Sequence, residues 1–204
     1  MIDSVSIEVV DKLYDRLPFP YRTYRQWQNE DIEPPEPFLA IGSGTAKIRV
    51  RKEWNRLGRE IYDPADIDRH AVTVAQILGD FGLTAFFVQQ AVLDTAWFHV
   101  NNPKGVARAD EMAACLRSCG VSVDFSTWRG GLIIHNDVDR FLRSFLDYPF
   151  ILNTYDLEMY SIQAPLAMEI SHHQSIHYVS PDPLLVERLK VRLLSEGMLT
   201  VREE

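Results

Sequence analysis

The histidine-rich segment that contains Glu169, His172, His173 and His177 could support metal binding or acid–base chemistry. Imidazole and carboxylate groups are common zinc ligands, and histidine exchanges a proton near neutral pH. On an α-helix, Glu169, His173 and His177 would lie one turn apart on one face. The β-branched and aromatic neighbours favour a strand instead, where positions four apart are separated by about 13 Å. A bend at Gln174-Ser175 could still bring two of these side chains together. The segment therefore predicts either a hydrolase site or histidines on a solvated or interface-facing strand.

The segment from Tyr21 to Trp27 combines aromatic and basic side chains directly before an acidic, proline-rich loop. Tyrosine, tryptophan and arginine dominate the energetically important positions of protein interfaces, because they bury a large area and keep a polar tip. An acidic loop beside them would steer a basic partner and speed association. The alternative is that the rings pack on the body of the protein and the acidic residues solvate a loop. The predicted partner-binding residues are Tyr21, Arg22, Tyr24, Arg25, Trp27, Glu30, Asp31, Glu33 and Glu36.

A third candidate is the turn Gly42-Ser43-Gly44-Thr45 with the basic segment that follows it. Backbone amides of such a turn could hold a phosphate. Between residues 47 and 59, six basic side chains are opposed only by Glu53. The segment lacks the Gly-Lys-Ser/Thr ending of a P-loop, so a hairpin turn and a basic strand resting on the acidic loop explain it equally well. The predicted phosphate-binding residues are Lys47, Arg49 and Arg51.

Two further patterns have simpler structural explanations. Cys115 and Cys119 lie four residues apart, but there is no second pair to complete a zinc site, so buried packing is favoured. The run from Asn136 to Asp139 carries carboxylates that could hold a divalent cation. The same run makes a good helix N-terminus, with Asn136 as the cap and acidic residues in the first turn. Neither pattern therefore predicts a metal site.

Composition limits the class of protein. The chain has 204 residues, of which 46% are hydrophobic and 25% charged, as expected of one packed domain. A net charge of -8 argues against general nucleic-acid binding. Two cysteines cannot build a disulfide framework, and no secretory signal pattern is present, so we expect a cytoplasmic protein. The apolar stretch 83–100 is interrupted by polar side chains, so we expect no membrane span.

Hydrophobic periodicity predicts a single α+β domain over residues 1–204, with a central helical cluster packed against an antiparallel or mixed sheet. Residues 1–37 are expected to be an N-terminal helix, Ser4 to Leu17, plus an acidic proline-rich loop, packed on the body. Further helices are expected from Asp63 to Gly79 or Gly82, over 84–98, over 109–118, from Asn136, and from Asp182 to Gly197. Strands are expected over 38–41, 47–51, 121–123, 132–134, 150–161 and 166–180.

These features favour a non-enzymatic protein-binding module. Such a protein would neutralise a basic partner stoichiometrically by occlusion, as immunity proteins and antitoxins do, and would need no cofactor. The alternative is a metal-dependent or acid–base hydrolase that uses Glu169, His172, His173 and His177. A third possibility is a phosphate or nucleotide sensor that uses the basic segment 47–59.

Overall fold

A computed structural model describes residues 1–30, 39–44, 50–51, 61–62, 64–92, 95–98, 103–152, 155–171 and 175–198. The strands are β1 (Ile2–Ser6), β2 (Leu39–Gly44), β3 (Val50–Arg51), β4 (Ile61–Tyr62), β5 (Ala85–Gln90), β6 (Gly130–His135), β7 (Leu157–Ser161), β8 (Ala167–Ile170) and β9 (Ser175–Ser180). The helices are α1 (Ile7–Tyr14), α2 (Tyr21–Glu30), α3 (Pro64–Asp80), α4 (Pro103–Ser118), α5 (Val138–Phe145), α6 (Tyr148–Leu152) and α7 (Pro183–Ser195).

One seven-stranded sheet organises the chain, in the order β1-β6-β5-β7-β8-β9-β2. Each neighbouring pair in this sheet runs antiparallel. The strands β3 and β4 form a separate two-stranded antiparallel ribbon. The α+β class and the antiparallel sheet with helices packed against it are confirmed. Among the described residues, no helix is both long and apolar enough to cross a lipid bilayer.

Helices cover both faces of the sheet, so two separate cores form. The first core lies between the sheet and helices α3 to α7, and it contains Phe86, Val88, Met112 and Phe141. The second core lies under α1 and α2 and contains Phe87, Tyr160, Tyr14 and Tyr24. Because successive strand residues point to opposite faces, each central strand contributes to both cores.

The strand β5 replaces the central helix expected over residues 84–98, so that prediction is wrong. Phe86 and Val88 enter the first core, while Phe87 enters the second. Phe86, Phe87 and Val88 are fully buried. A strand that is buried on both faces loses the alternation of polar and apolar residues that marks a half-exposed strand. A continuous apolar run of this kind cannot be told from a buried helix by its periodicity.

The N-terminal helix expected from Ser4 starts later, because residues 2–6 form an edge strand. β1 pairs with β6, and its buried residues Ile2 and Val5 enter the first and second cores respectively. Helix α1 begins at Ile7, and the aromatic and basic run that starts at Tyr21 forms helix α2. The described part of residues 1–37 therefore completes one edge of the sheet and covers its second face.

Helix termini are partly as expected. The Asp182 carboxylate caps α7 by accepting hydrogen bonds from the amides of Leu184 and Leu185, and Gly197 follows this helix with φ +62°. At α5 the expected cap is wrong. Asn136 has a left-handed backbone with φ +60°, and Asp137 is the N-cap residue, with no side-chain capping hydrogen bond.

The remaining differences concern short segments. Residues 121–123, expected as a strand, form a loop, and α4 begins before the expected residue 109. The expected strand over 150–161 is the end of α6 followed by β7, and the one over 166–180 is divided into β8 and β9. β8 and β9 follow each other closely along the chain and pair with each other in the sheet.

His70 lies buried on α3, and its Nε2 atom has no hydrogen-bond partner in the described part of the chain. Burial lowers the pKa of His70 from 6.5 to about 4. Between these pH values the unfolded chain binds a proton at this position that the folded protein does not. Stability is therefore lost as the pH falls from about 6.5 to about 4, by up to about 3 kcal/mol.

We expect His70→Leu to flatten this pH dependence, because the variant has no group to protonate. Chemical denaturation of both proteins at several pH values between 4 and 7 measures the difference in the free energy of unfolding. Val191→Thr, at an exposed position of α7, removes no titratable group and serves as the control, which should keep the wild-type slope. Equal slopes for wild type and His70→Leu would contradict the assignment.

Candidate functional site

Four polar side chains form a row across the face of the sheet that carries the second core. Gln89 lies opposite Glu158, Glu158 opposite Glu169, and Glu169 opposite His177 on the successive strands β5, β7, β8 and β9. Directly opposite residues on antiparallel strands have Cβ atoms about 4.5–5.5 Å apart, so their side chains interact. We call Gln89, Glu158, Glu169 and His177 the polar row.

Gln89 and Glu158 form the inner end of the polar row, which is buried and hydrogen-bonded. Gln89 is 0% and Glu158 5% exposed. The Gln89 amide and the Tyr160 hydroxyl both donate to Glu158 Oε2, over 2.7 and 2.8 Å. The Tyr14 hydroxyl donates to Gln89 Oε1. The resulting chain of hydrogen bonds fixes the orientation of the Glu158 carboxylate.

Helix α2 supplies the positive charge of this end. The Arg25 guanidinium lies 2.8 Å from Glu158 Oε1 and also donates to the carbonyl of Ala91 over 2.9 Å. Its Nε atom donates to the Tyr21 hydroxyl over 3.1 Å. The Tyr21 ring stacks on Tyr14, with 3.5 Å between the ring centroids. Residues 21, 24 and 25 share one face of a helix, which is why α2 directs these side chains onto the sheet.

Glu169 and His177 form the outer end of the polar row, which is half-buried and lies next to a further carboxylate, Asp156. The Glu169 carboxyl is hydrogen-bonded to Asp156, and His177 Nδ1 lies 3.9 Å from Glu169 Oε1. Burial, the hydrogen bond to Asp156 and the negative charges of Asp156 and Glu158 raise the pKa of Glu169 to about 7, while Arg25 opposes this shift. The Glu169 carboxyl therefore holds a proton near neutral pH.

A surface cleft of about 450 Å³ lies beside α2. It is lined by Tyr21, Arg22, Arg25 and Ala91. The amide of Ala91 donates to the carbonyl of Asp156 over 2.8 Å, so the cleft lies close to the backbone of Asp156. Arg22 is exposed and pairs with Asp15 over 2.7 Å on the outer side of α2.

The predicted partner-binding residues on α2 divide between the two sides of the helix. Tyr24 is only 6% exposed and packs against Phe19, so it is not available to a partner, which corrects its expected place in a contact surface. Burial and the charges of Glu169 and Glu158 raise its pKa. The backbones of Trp27 and Glu30 belong to α2. Asp31, Glu33 and Glu36 lie outside the described residues.

The predicted phosphate turn is wrong in its described part. Residues 42–44 belong to the strand β2, which pairs with β9, so they do not form a turn between strands 38–41 and 47–51. Gly42 lies opposite His177. Arg51 belongs to β3, while Lys47 and Arg49 lie outside the described residues.

The predicted histidine cluster is described only in part. β8 and β9 are antiparallel, and Glu169 lies opposite His177. His172 and His173 lie outside the described residues. In the part of the chain that the structure covers, no group of three or more histidine, cysteine or acidic side chains is placed to hold a metal ion.

Sequence reasoning missed most of the polar row. Gln89 was seen only as an interruption of an apolar stretch, and Asp156, Glu158, Tyr14 and Tyr160 were not singled out. A signal exists in the segment 157–161, where Glu158 alternates with the buried Leu157 and Met159. A charged residue inside a predicted strand between apolar neighbours indicates a buried partner or a site.

Titration of the Glu169 carboxyl tests this description. We expect its NMR resonance to shift with a midpoint near pH 7, because the folded protein keeps a proton that the unfolded chain has released. The contribution of Glu169 to the free energy of unfolding is present at low pH and is lost as the pH rises from about 4.5 through about 7. Asp156→Asn removes a negative charge and should lower the midpoint.

The control for this titration is Glu187→Gln on α7, whose side chain is 67% exposed and which should leave the Glu169 midpoint unchanged. A wild-type midpoint near 4.5, the ordinary value for glutamate, would show that the carboxylate pair does not share a proton.

Comparison with known proteins leaves the site to be interpreted from its own side chains. The polar row, the buried Arg25–Glu158 pair and the cleft beside them are the features that any assignment of function must explain. No protein-family model, curated protein or solved structure matches this chain.

Proposed function

We propose that the protein is a non-enzymatic binding module that accepts a positively charged side chain of a basic partner protein at the outer end of the polar row. The observation that carries this proposal is the half-buried pair of carboxyl groups of Asp156 and Glu169, next to which Arg25 pairs with Glu158. Bound in this way, the module would block the partner's own binding surface, as an immunity protein or antitoxin does.

Electrostatics favours a guanidinium or ammonium group at this position. A cation within a few Å of Asp156 and Glu169 stabilises their charged forms, so it displaces the shared proton. Two adjacent carboxylates offer acceptors for a bidentate guanidinium. The net charge of -8 would attract a basic partner over longer distances.

The surroundings of the outer end fit a protein partner. Tyr155, next to Asp156, is 47% exposed, and Tyr21 and Arg22 line the adjacent cleft. Tyrosine and arginine are enriched at the energetically important positions of interfaces. The expected contact surface therefore shifts from the rings of α2 toward Tyr155 and the carboxylate pair.

An arginine-rich peptide is a suitable probe for this proposal. We expect it to bind with release of protons near pH 7, which calorimetry in two buffers of different ionisation enthalpy detects. Glu169→Gln should weaken binding by about tenfold or more, because it removes the charge that pairs with the cation. The exposed Glu187→Gln should bind like wild type. Equal affinities for the two variants would refute the proposal.

A second candidate function is acid–base hydrolysis, which the 3.9 Å separation of His177 Nδ1 and Glu169 Oε1 favours. A carboxyl group with a pKa of about 7 beside an imidazole provides a proton donor and acceptor near neutral pH. In this function, His172 and His173 would contribute to the binding of a substrate or metal ion.

Hydrolysis of chromogenic ester and phosphoester substrates, with and without added zinc, tests the second function. We expect a bell-shaped pH profile and a loss of about a hundredfold or more in His177→Ala and in Glu169→Gln. Rates that remain unchanged in both variants, or no hydrolysis by the wild type, would exclude this function.

A further inference from the structure

The C-terminal end of α4 carries two free thiols, Cys115 and Cys119, and both residues are half-buried. The amide of Cys119 donates to the carbonyl of Cys115 over 3.2 Å, so the helical turn extends to Cys119. Residues four apart in a helix lie on the same face. The two thiols are therefore neighbours on one face of α4, and neither has the fully buried position that the sequence favoured.

Helix α5 contacts α4 and supplies polar neighbours for the two thiols. The Cys115 Sγ atom lies 3.2 Å from Ser144 Oγ, and Cys119 packs against the first core. Arg140, one turn before Ser144 on α5, donates to the hydroxyl of Ser118, the residue before Cys119. The pair of thiols is thus held by two packed helices and remains partly accessible to solvent.

The helical spacing disfavours a disulfide between the two cysteines. Residues four apart on a helix have Cβ atoms about 5–6 Å apart. A disulfide needs Cβ atoms about 3.5–4.5 Å apart, so it would require the last turn of the helix to distort. A metal–thiolate bond is about 2.3 Å long, so an ion between two sulfurs holds them up to about 4.6 Å apart. The two thiols can reach that separation by turning toward each other, with no change in the backbone.

The number of ligands favours an ion that two sulfurs satisfy. In the part of the chain that the structure describes, no third histidine, cysteine or acidic side chain joins the two thiols in a group placed to hold an ion. A structural zinc site takes four protein ligands. Soft thiolate ligands also select Cu(I), which accepts two sulfurs in a linear arrangement.

We propose that Cys115 and Cys119 bind one Cu(I) ion between them as a pair of thiolates. Each thiol loses its proton to solvent when its sulfur binds the ion, so binding releases both protons. The single positive charge of the ion and the two thiolate charges leave the site with one net negative charge. No electron is transferred, and the ion stays in the same oxidation state.

The charges around the pair are compatible with a negatively charged site. The Arg140 guanidinium lies at the same end of α4, where it donates to Ser118 Oγ. A neighbouring cation stabilises the thiolate form of cysteine. The carboxylates of Glu111 and Asp147 both pair with Arg108, so their charges are offset.

Competition with the chromogenic Cu(I) chelator bicinchoninate, in the absence of oxygen, tests the proposal. We expect the wild-type chain to take up one Cu(I) ion from the chelator. Cys115→Ser and Cys119→Ser should each weaken uptake by about a hundredfold or more, because a hydroxyl is a harder ligand than a thiolate. Thr73→Ser on α3 is the matched control and should take up Cu(I) like the wild type.

Zinc provides the comparison for the number of ligands. Because zinc prefers four ligands, Zn²⁺ should bind more weakly than Cu(I) by about a hundredfold or more. No uptake of Cu(I) by the wild type, unchanged uptake by either cysteine variant, or zinc binding as tight as that of Cu(I) would each overturn the inference. Circular dichroism confirms that each variant has folded.

Discussion

The buried ion pair between Arg25 and Glu158 is the interaction on which the second layer of the structure depends. A carboxylate on a central strand cannot be buried without a compensating charge and hydrogen bonds. Arg25, Gln89 and Tyr160 supply them, and Arg25 can do so only if α2 lies across the sheet. The burial of Glu158 therefore depends on the position of α2, and the stacked rings of Tyr14 and Tyr21 add a second contact between α1 and α2.

Local signals in the sequence predicted the elements that are half-exposed or clearly capped. Asp182 and Pro183 marked the start of α7, and the periodic residues after Asp63 marked α3, because those signals depend only on neighbouring residues. The central strand β5 was mistaken for a helix, since burial on both faces removed its alternation. Strand order is set by contacts between distant residues, so no local pattern could reveal it.

Of the polar row, only Glu169 and His177 were singled out from the sequence, and they lie on consecutive strands. A bend at Gln174-Ser175 was considered from the sequence, but the register in which Glu169 lies opposite His177 was not predicted. Gln89 on β5 and Glu158 on β7 belong to the same row, although they are 69 residues apart along the chain. Their pairing depends on register, and a shift of one residue would turn these side chains into the first core.

The two ends of the polar row place the same chemical group in different situations. At the inner end, Glu158 receives hydrogen bonds from three side chains and its charge is neutralised, so it gains little from any further ligand. At the outer end, burial, the hydrogen bond to Asp156 and the negative charges of Asp156 and Glu158 raise the pKa of Glu169 to about 7. An incoming cation gains most where a carboxylate is not yet neutralised. In the proposed function, the buried end of the row holds the geometry, and the half-buried end is the part that a partner would reach.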